Sequence, residues 1–237
     1  DSISAHLLAC TEAGIQTGFH AIGDGAVGAV VEALEQTASL MGGPALASRG
    51  HRIEHLEMVS AAHADKLASW GVIASMQPAF DALWGGESGS YATRLGTQRA
   101  ADLNPLARLA SAGVSLAFGS DAPVTPVDPW AMLRAAVNHR TAGSGISPRA
   151  AFAAATRGAW RAGGVRDGLA GTLVAGAPAS YAVWDTTELV VRAPADTVAR
   201  WSTDPRAGVP ALPALEPEST SPRCLRTVHR GRVIHEA

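Results

Sequence analysis

The chain has 237 residues, 19 basic against 21 acidic side chains for a net charge of −2, and 47% hydrophobic residues against 17% charged ones. That balance excludes disorder over most of the length, and with no basic stripe in view duplex nucleic acid is not an expected partner. At about 150 residues per domain the length suits one large domain plus a smaller piece, with about 70% of the unfolded chain's surface open to burial.

The sequence opens on Asp1 rather than methionine, and helical periodicity begins at once, so it is expected to be part of a longer polypeptide. Helix and strand then alternate. A helix over 2–13 leads into an extended 15–21, and a second over 26–40 precedes 52–56. A third over 60–70 precedes 72–76, and a fourth over 103–112 precedes 114–119. Three of the strands open with the same punctuation: Ala13-Gly14-Ile15, Trp70-Gly71-Val72 and Ala112-Gly113-Val114. Glycine just past the last helical turn is a C-cap, and the short apolar run after it predicts a buried parallel strand. Four such units predict an α/β fold, a parallel sheet with helices packed on it.

Two further helices are marked by a capping residue followed by proline, at Asp128-Pro129 and Ser147-Pro148. Past Gly163-Gly164 the composition shifts: 180–185 reads as a strand, 203–222 holds five of the 14 prolines, and 225–236 forms a hairpin around Gly231. The expected division is therefore 1–164 and a β-rich 165–237. Cys10 and Cys224 stand in no metal spacing, which fits a reducing, cytoplasmic compartment, and no apolar run approaches the roughly 20 residues of a membrane span.

Four features could carry chemistry. Gly23-Asp24-Gly25-Ala26-Val27-Gly28 matches the G-x-G-x-x-G fingerprint of an NAD-type dinucleotide site, but Asp24 inside the anion cradle would repel the phosphates. His20 ends the first strand, where parallel α/β folds place their chemistry; taken alone, such a histidine is more often a core residue with satisfied nitrogens. His55 ends the next strand, and alternation puts Ile53, His55 and Glu57 on one face and Arg52, Glu54 and Leu56 on the other. Two histidines ending consecutive parallel strands project into one space, and neutral imidazole is the commonest ligand of a catalytic metal. Asp121, in Gly119-Ser120-Asp121-Ala122-Pro123, is either a metal ligand and proton acceptor or the residue of an Asx turn.

Taken together, His20-Ala21-Ile22-Gly23-Asp24, Arg52-Ile53-Glu54-His55 and Gly119-Ser120-Asp121-Ala122-Pro123 resemble the amidohydrolase superfamily, and within it the amidohydrolase family 3 branch that includes N-substituted formamide deformylases. Trp201-Ser202-Thr203-Asp204-Pro205-Arg206 and Leu225-Arg226-Thr227-Val228 add to the likeness. The resemblance implies the C-terminal half of a distorted (β/α)8 TIM-type barrel, strands five to eight, plus part of a small β-sandwich. It also implies that His20 and His55 are metal ligands and that Asp121 touches the metal and shuttles the proton. The implied reaction is hydrolysis of an amide-type C–N bond in a small-molecule substrate, with zinc as one or two divalent ions.

The departures matter as much. Family members carry a His-x-His pair on the first strand and often a carboxylated lysine on the fourth. None of the eight histidines here forms such a pair, and the single lysine, Lys66, falls on the helix after 52–56. The missing N-terminal half of the barrel is thus an expected partner, and the chain alone is expected to be inactive. A second copy covering the open strand edges, or a non-catalytic assembly module, are the other expectations. The segment 78–101, with Phe80, Trp84 and Tyr91, is either a specificity element over the site or a surface excursion whose aromatics pack down.

Overall fold

A computed structural model describes residues 2–190 and 211–237. The Trp201–Arg206 motif and part of the proline-rich segment lie outside them.

Four helices end in one and the same device. After α1 (Ser2–Glu12), the N–H of Gly14 bonds to the carbonyl of Thr11, and that of Ile15 reaches back to Cys10. The pair recurs after α4 (Ala61–Ser69) as Gly71 to Ala68 and Val72 to Leu67. It recurs after α8 (Leu106–Ala112) as Gly113 to Ala110 and Val114 to Leu109. Gly164 to Arg161 and Val165 to Trp160 complete the set after the last helix, α11 (Ala159–Ala162). Each glycine has a positive φ, between 62° and 87°, the left-handed conformation a side chain would penalise. These are Schellman caps, and after the first three of them the apolar residue following the glycine turns the chain towards the sheet.

The caps also explain why three of the four strands begin later than predicted, while the second begins at Arg52 as expected. They run β1 (Gly18–Ala21), β2 (Arg52–His55), β3 (Ile73–Met76) and β4 (Ser115–Phe118). The N–H groups of Ile15, Val72 and Val114 are committed to helix carbonyls, and that of Thr17 goes to the ring of His51 at 3.0 Å. The four strands are parallel and lie side by side in sequence order.

Most helices pack on one face of this sheet, while Ala162 of α11 meets Ile73 and Ala117 on the other. In α2 (Asp24–Met41), Val27, Val30, Val31 and Leu34 are buried, a stripe at helical spacing. Ile53, Ala74, Leu67 and Leu109 meet it in the main core, with Leu133 of α9 (Pro129–Val137). The predicted caps are present. Asp128 Oδ1 accepts from the N–H groups of Trp130 and Ala131 at 3.1 and 2.9 Å, and Ser147 Oγ accepts from Ala150 at 3.2 Å. From Ser147 the chain runs through α10 (Pro148–Ala153) and a π-helical turn (Ala154–Gly158) into α11. A Cβ at Gly158 would sit 2.2 Å from the Leu116 carbonyl oxygen, so glycine allows this turn to lie against β4.

Between α2 and β2 comes the short α3 (Gly43–Ala47), and between β3 and α8 come α5 (Pro78–Trp84), α6 (Ser90–Leu95) and α7 (Thr97–Ala100). A second sheet is antiparallel: β5 (Tyr181–Asp185), β6 (Arg223–His229) and β7 (Arg232–Glu236), the last two joined through Gly231 as predicted. Trp184 of β5 stands edge-on to Trp130 of α9, with ring centroids 5.7 Å apart. Among the described residues no helix is long and apolar enough to cross a membrane.

Candidate functional site

The carboxyl ends of β1 and β2 bring His20 and His55 together, with ring centroids 4.5 Å apart and planes at 73°. Alternation does not predict this contact. In the strand register His20 pairs with Glu54, and His55 pairs with Ala21, so regular strands would send the two rings to opposite faces. The reason is the backbone of His55 and Leu56, which have φ of 74° and 48°. Two successive left-handed residues turn the chain out of the strand and break the alternation at His55. The expected grouping of Leu56 with Arg52 and Glu54 is therefore corrected: Leu56 is fully buried, while the other two are half-buried in an ion pair at 2.5 Å.

Such a backbone costs roughly 1–3 kcal/mol per residue and persists only where its surroundings impose it. Here the Leu56 side chain is anchored in the core, its N–H bonds to the Ala21 carbonyl at 3.0 Å, and Met58 N–H bonds to Ile22 at 3.0 Å.

The His55 ring is held on two sides. Its Nδ1 lies 2.8 Å from Oε1 of Gln77, the residue after β3. The Gln77 amide nitrogen donates to the Ser75 carbonyl at 3.3 Å, so its oxygen must face the histidine and accept. Nδ1 therefore carries the proton and Nε2 carries the lone pair, which is the state a metal ligand needs. Phe80 of α5 stacks on the ring at 5.9 Å, with planes 13° apart. From Phe80 an aromatic run continues through Trp84 at 4.6 Å to Tyr91 at 6.0 Å. The aromatics of 78–101 thus pack down, and they do so from the histidine pair outward.

Behind this wall is a buried polar network that sequence reasoning missed. Glu57 accepts from Tyr91 Oη at 2.6 Å and from the Asn104 amide at 3.4 Å. Burial raises the Glu57 carboxyl above its ordinary pKa, against the pull of those two hydrogen bonds, and burial with the Glu57 charge raises the Tyr91 phenol. Asp81 accepts from Arg140 N–H at 2.7 Å and faces His139 Nε2 at 3.5 Å; burial raises its pKa too. Thr141 N–H donates to His139 Nδ1 at 3.0 Å, so the proton sits on Nε2 and also reaches the Asn104 carbonyl at 3.0 Å. The signal was present only as isolated polar residues in apolar surroundings, spread over 57–141.

Asp121 follows β4 in a left-handed turn, φ 53°, with its carbonyl accepting from Val124 N–H at 2.8 Å. His20 and Asp121 are exposed and His55 is buried. Among the described residues no hydrogen bond or ion pair joins the Asp121 carboxylate to either histidine, and no three His, Cys, Asp or Glu side chains are grouped to hold a metal ion. Two of the three expected site residues are brought together.

The glycine fingerprint has another explanation. A Cβ at Gly23, Gly25 or Gly28 would meet nothing within 4 Å, so no close helix–strand approach calls for glycine there. Asp24 Oδ2 pairs with Arg99 of α7 at 2.8 Å. Lys66 pairs with Glu35 at 2.8 Å on the helix surface, away from the site.

Comparison with known proteins bears on the fold and the family. An uncharacterized metal-dependent hydrolase from Pyrococcus furiosus is 28% identical, with a TM-score of 0.61 over 75% of this chain and 35% of its own. Atrazine chlorohydrolase TrzN from Arthrobacter aurescens TC1, solved with zinc, shares the fold at a TM-score of 0.61 and 20% identity, over 99% of this chain and 47% of its own. Protein LONG AFTER FAR-RED 3 of Arabidopsis thaliana is 32% identical over 138 residues, 58% of this chain and 23% of the plant protein. The chain thus spans less than half the length of each of these proteins. The model of the amidohydrolase family matches residues 1–235, and the chain belongs to that family, in the family 3 branch its motifs resemble.

Proposed function

We propose that this chain forms part of a metal-dependent hydrolase that cleaves an amide-type C–N bond in a small molecule. The observation that carries the reading is the His20–His55 pair, with the tautomer of His55 set by Gln77. These donors suit a divalent metal of the zinc type: two imidazoles from adjacent strands, one with its lone-pair nitrogen fixed. When bound, such an ion lowers the pKa of a water to about 7 and polarises a carbonyl.

In this reading His20 and His55 hold the metal, and Phe80 excludes water from one face of the His55 ring. Asp121 accepts the proton released on attack and returns it to the leaving nitrogen. The remaining ligands belong to the missing N-terminal half of the barrel, a reading that the greater length of the related hydrolases supports. Residues 1–164 are then the barrel portion, strands five to eight, and residues 165–237 contribute β5–β7 to a β-sandwich. The free thiols Cys10 and Cys224 support a cytoplasmic setting, and a second copy is a further candidate for covering the open strand edges.

The test is a polypeptide extended upstream to include a His-x-His strand, assayed on formamides and N-acyl compounds with and without chelator. Chelator-sensitive turnover, lost together with bound zinc in both His20→Ala and His55→Ala, is the expected result. Zinc retained in full by both variants would overturn the assignment.

A further inference from the structure

The opposite end of the parallel sheet holds a second concave site. A cavity of about 360 Å³ opens there, lined by Arg157, Arg161 and Arg166 together with Ser115, Asp167 and Ile73. Ile73 and Ser115 are the first residues of β3 and β4. The cavity is therefore separated from the histidine pair by the length of a four-residue strand, about 10 Å.

Its charge is unbalanced. Three guanidinium groups face one carboxylate, and Asp167 Oδ1 is already taken by the N–H groups of Leu169 and Ala170, each at 2.9 Å. Among the described residues no carboxylate lies within ion-pair distance of the three arginines. Arg157 has no hydrogen-bond partner there, Arg161 reaches only Ser115 Oγ at 3.5 Å, and Arg166 donates to the Ser48 carbonyl. Like charges converging on a concave, low-dielectric wall repel one another and focus a positive field outward. That field is felt nearby: after burial, Arg49 and Arg166 are what hold the buried His51 below its ordinary pKa.

We infer that this cavity binds a small organic phosphate, its phosphoryl oxygens on Arg157 and Arg161 and its carbon body against Ile73 and Val165. The guanidinium fork matches a tetrahedral oxyanion in geometry as well as charge, and most of the donors it would use are unengaged. The Ser115 hydroxyl adds a neutral donor. The apolar floor and a volume at the lower end of the small-molecule range make room for a body beyond the bare anion. The site is independent of the hydrolase assignment, because it shares no side chain with His20, His55 or Asp121.

Calorimetric titration of the purified chain tests this, with inorganic phosphate and methyl phosphate as probes at an ionic strength held constant by chloride. Saturable binding at one site per chain is expected, the ester at least as tight as the inorganic ion. Arg157→Gln and Arg161→Gln are each expected to weaken it about tenfold or more, since a charge-assisted bond is lost. Arg161→Lys, which keeps the charge but not the fork, should fall between. Arg94→Gln, on α6 at the other end of the strands, should change nothing. Both cavity arginines are exposed, so their variants should keep the parent's unfolding temperature. Absence of saturable heat with either probe would overturn the inference, and so would binding unchanged in the Arg157→Gln/Arg161→Gln double variant.

Discussion

Gln77 and His55 form a directed pair: the imidazole Nδ1 donates to the amide oxygen at 2.8 Å, from the end of one strand to the end of the next. The direction is fixed by the second bond of Gln77, its amide nitrogen to the Ser75 carbonyl. Gln77→Ala should let His55 exchange its proton to Nε2, visible as a change in the ring ¹⁵N shifts. In a metal-loaded, extended polypeptide the same variant should weaken metal binding about 10–100-fold. Ring shifts identical to the parent would show that Gln77 does not set the tautomer.

Asp121→Asn in the extended polypeptide should cost about 10²–10⁴-fold in turnover while leaving metal content nearly unchanged. The amide keeps an oxygen in place but cannot take a proton. Turnover within a factor of two of the parent would remove Asp121 from the chemistry.

The 237-residue chain by itself should turn over no formamide or N-acyl substrate and should hold zinc weakly. Only His20 and His55 stand together, and no third donor joins them among the described residues. Three protein ligands are the usual minimum for a catalytic zinc. Metal analysis after dialysis checks this; one tightly held zinc per chain would contradict it.

His51 gives a pH signature. Fully buried, it accepts at Nδ1 from Thr17 N–H at 3.0 Å, so its proton is on Nε2, directed to Thr11 Oγ1 at 3.1 Å. Burial, then Arg49 and Arg166, lowers its pKa from 6.5 to about 4. Above pH 6.5 both folded and unfolded chains hold the ring neutral, and its contribution is constant. Between pH 6.5 and 4 only the unfolded chain takes the proton, so stability falls with falling pH, by on the order of 2 kcal/mol. Glu57 and Asp81, whose pKa values are raised, act in the opposite sense, because their protonation favours the folded state. Urea midpoints at pH 7 and 4.5 should differ less in His51→Gln than in the parent; equal differences would count against this account.

Tyr91→Phe should destabilise the chain by about 1–3 kcal/mol, since the buried Glu57 loses its shortest hydrogen bond and keeps only Asn104 at 3.4 Å. Glu57→Gln should cost less, because an amide can still pair with the phenol. Urea unfolding at neutral pH ranks the two.

The frame was legible because it is built from local rules. Gly14, Gly71 and Gly113 announce the caps, and Asp128 and Ser147 the helix starts, within a few residues of where they act. His20 and His55 were legible as strand ends. Their contact was not, because it depends on left-handed backbone at two successive residues, His55 and Leu56, and a leucine is a poor candidate for that conformation. The pairings of Gln77, Tyr91, Asn104 and His139 were invisible for a different reason. Their partners are 22 to 58 residues away in sequence, and nothing in the spacing marks which buried polar groups will meet.

The four Schellman caps divide the labour between the two ends of the sheet. After α4 and α8 the path back to a strand is a single glycine and one or two further residues, with its hydrogen bonds already assigned, and an insertion there would have to break a cap. Where a strand leaves for a helix no such clasp exists, and the chain runs from two residues after β1 to a three-helix excursion after β3. Variation can accumulate at one rim without disturbing the register of the other. Exchanging 78–101 for a segment of different length from a relative should alter what the histidine rim admits while leaving the strands in register. The same exchange at Gly71 or Gly113 should not yield a folded chain.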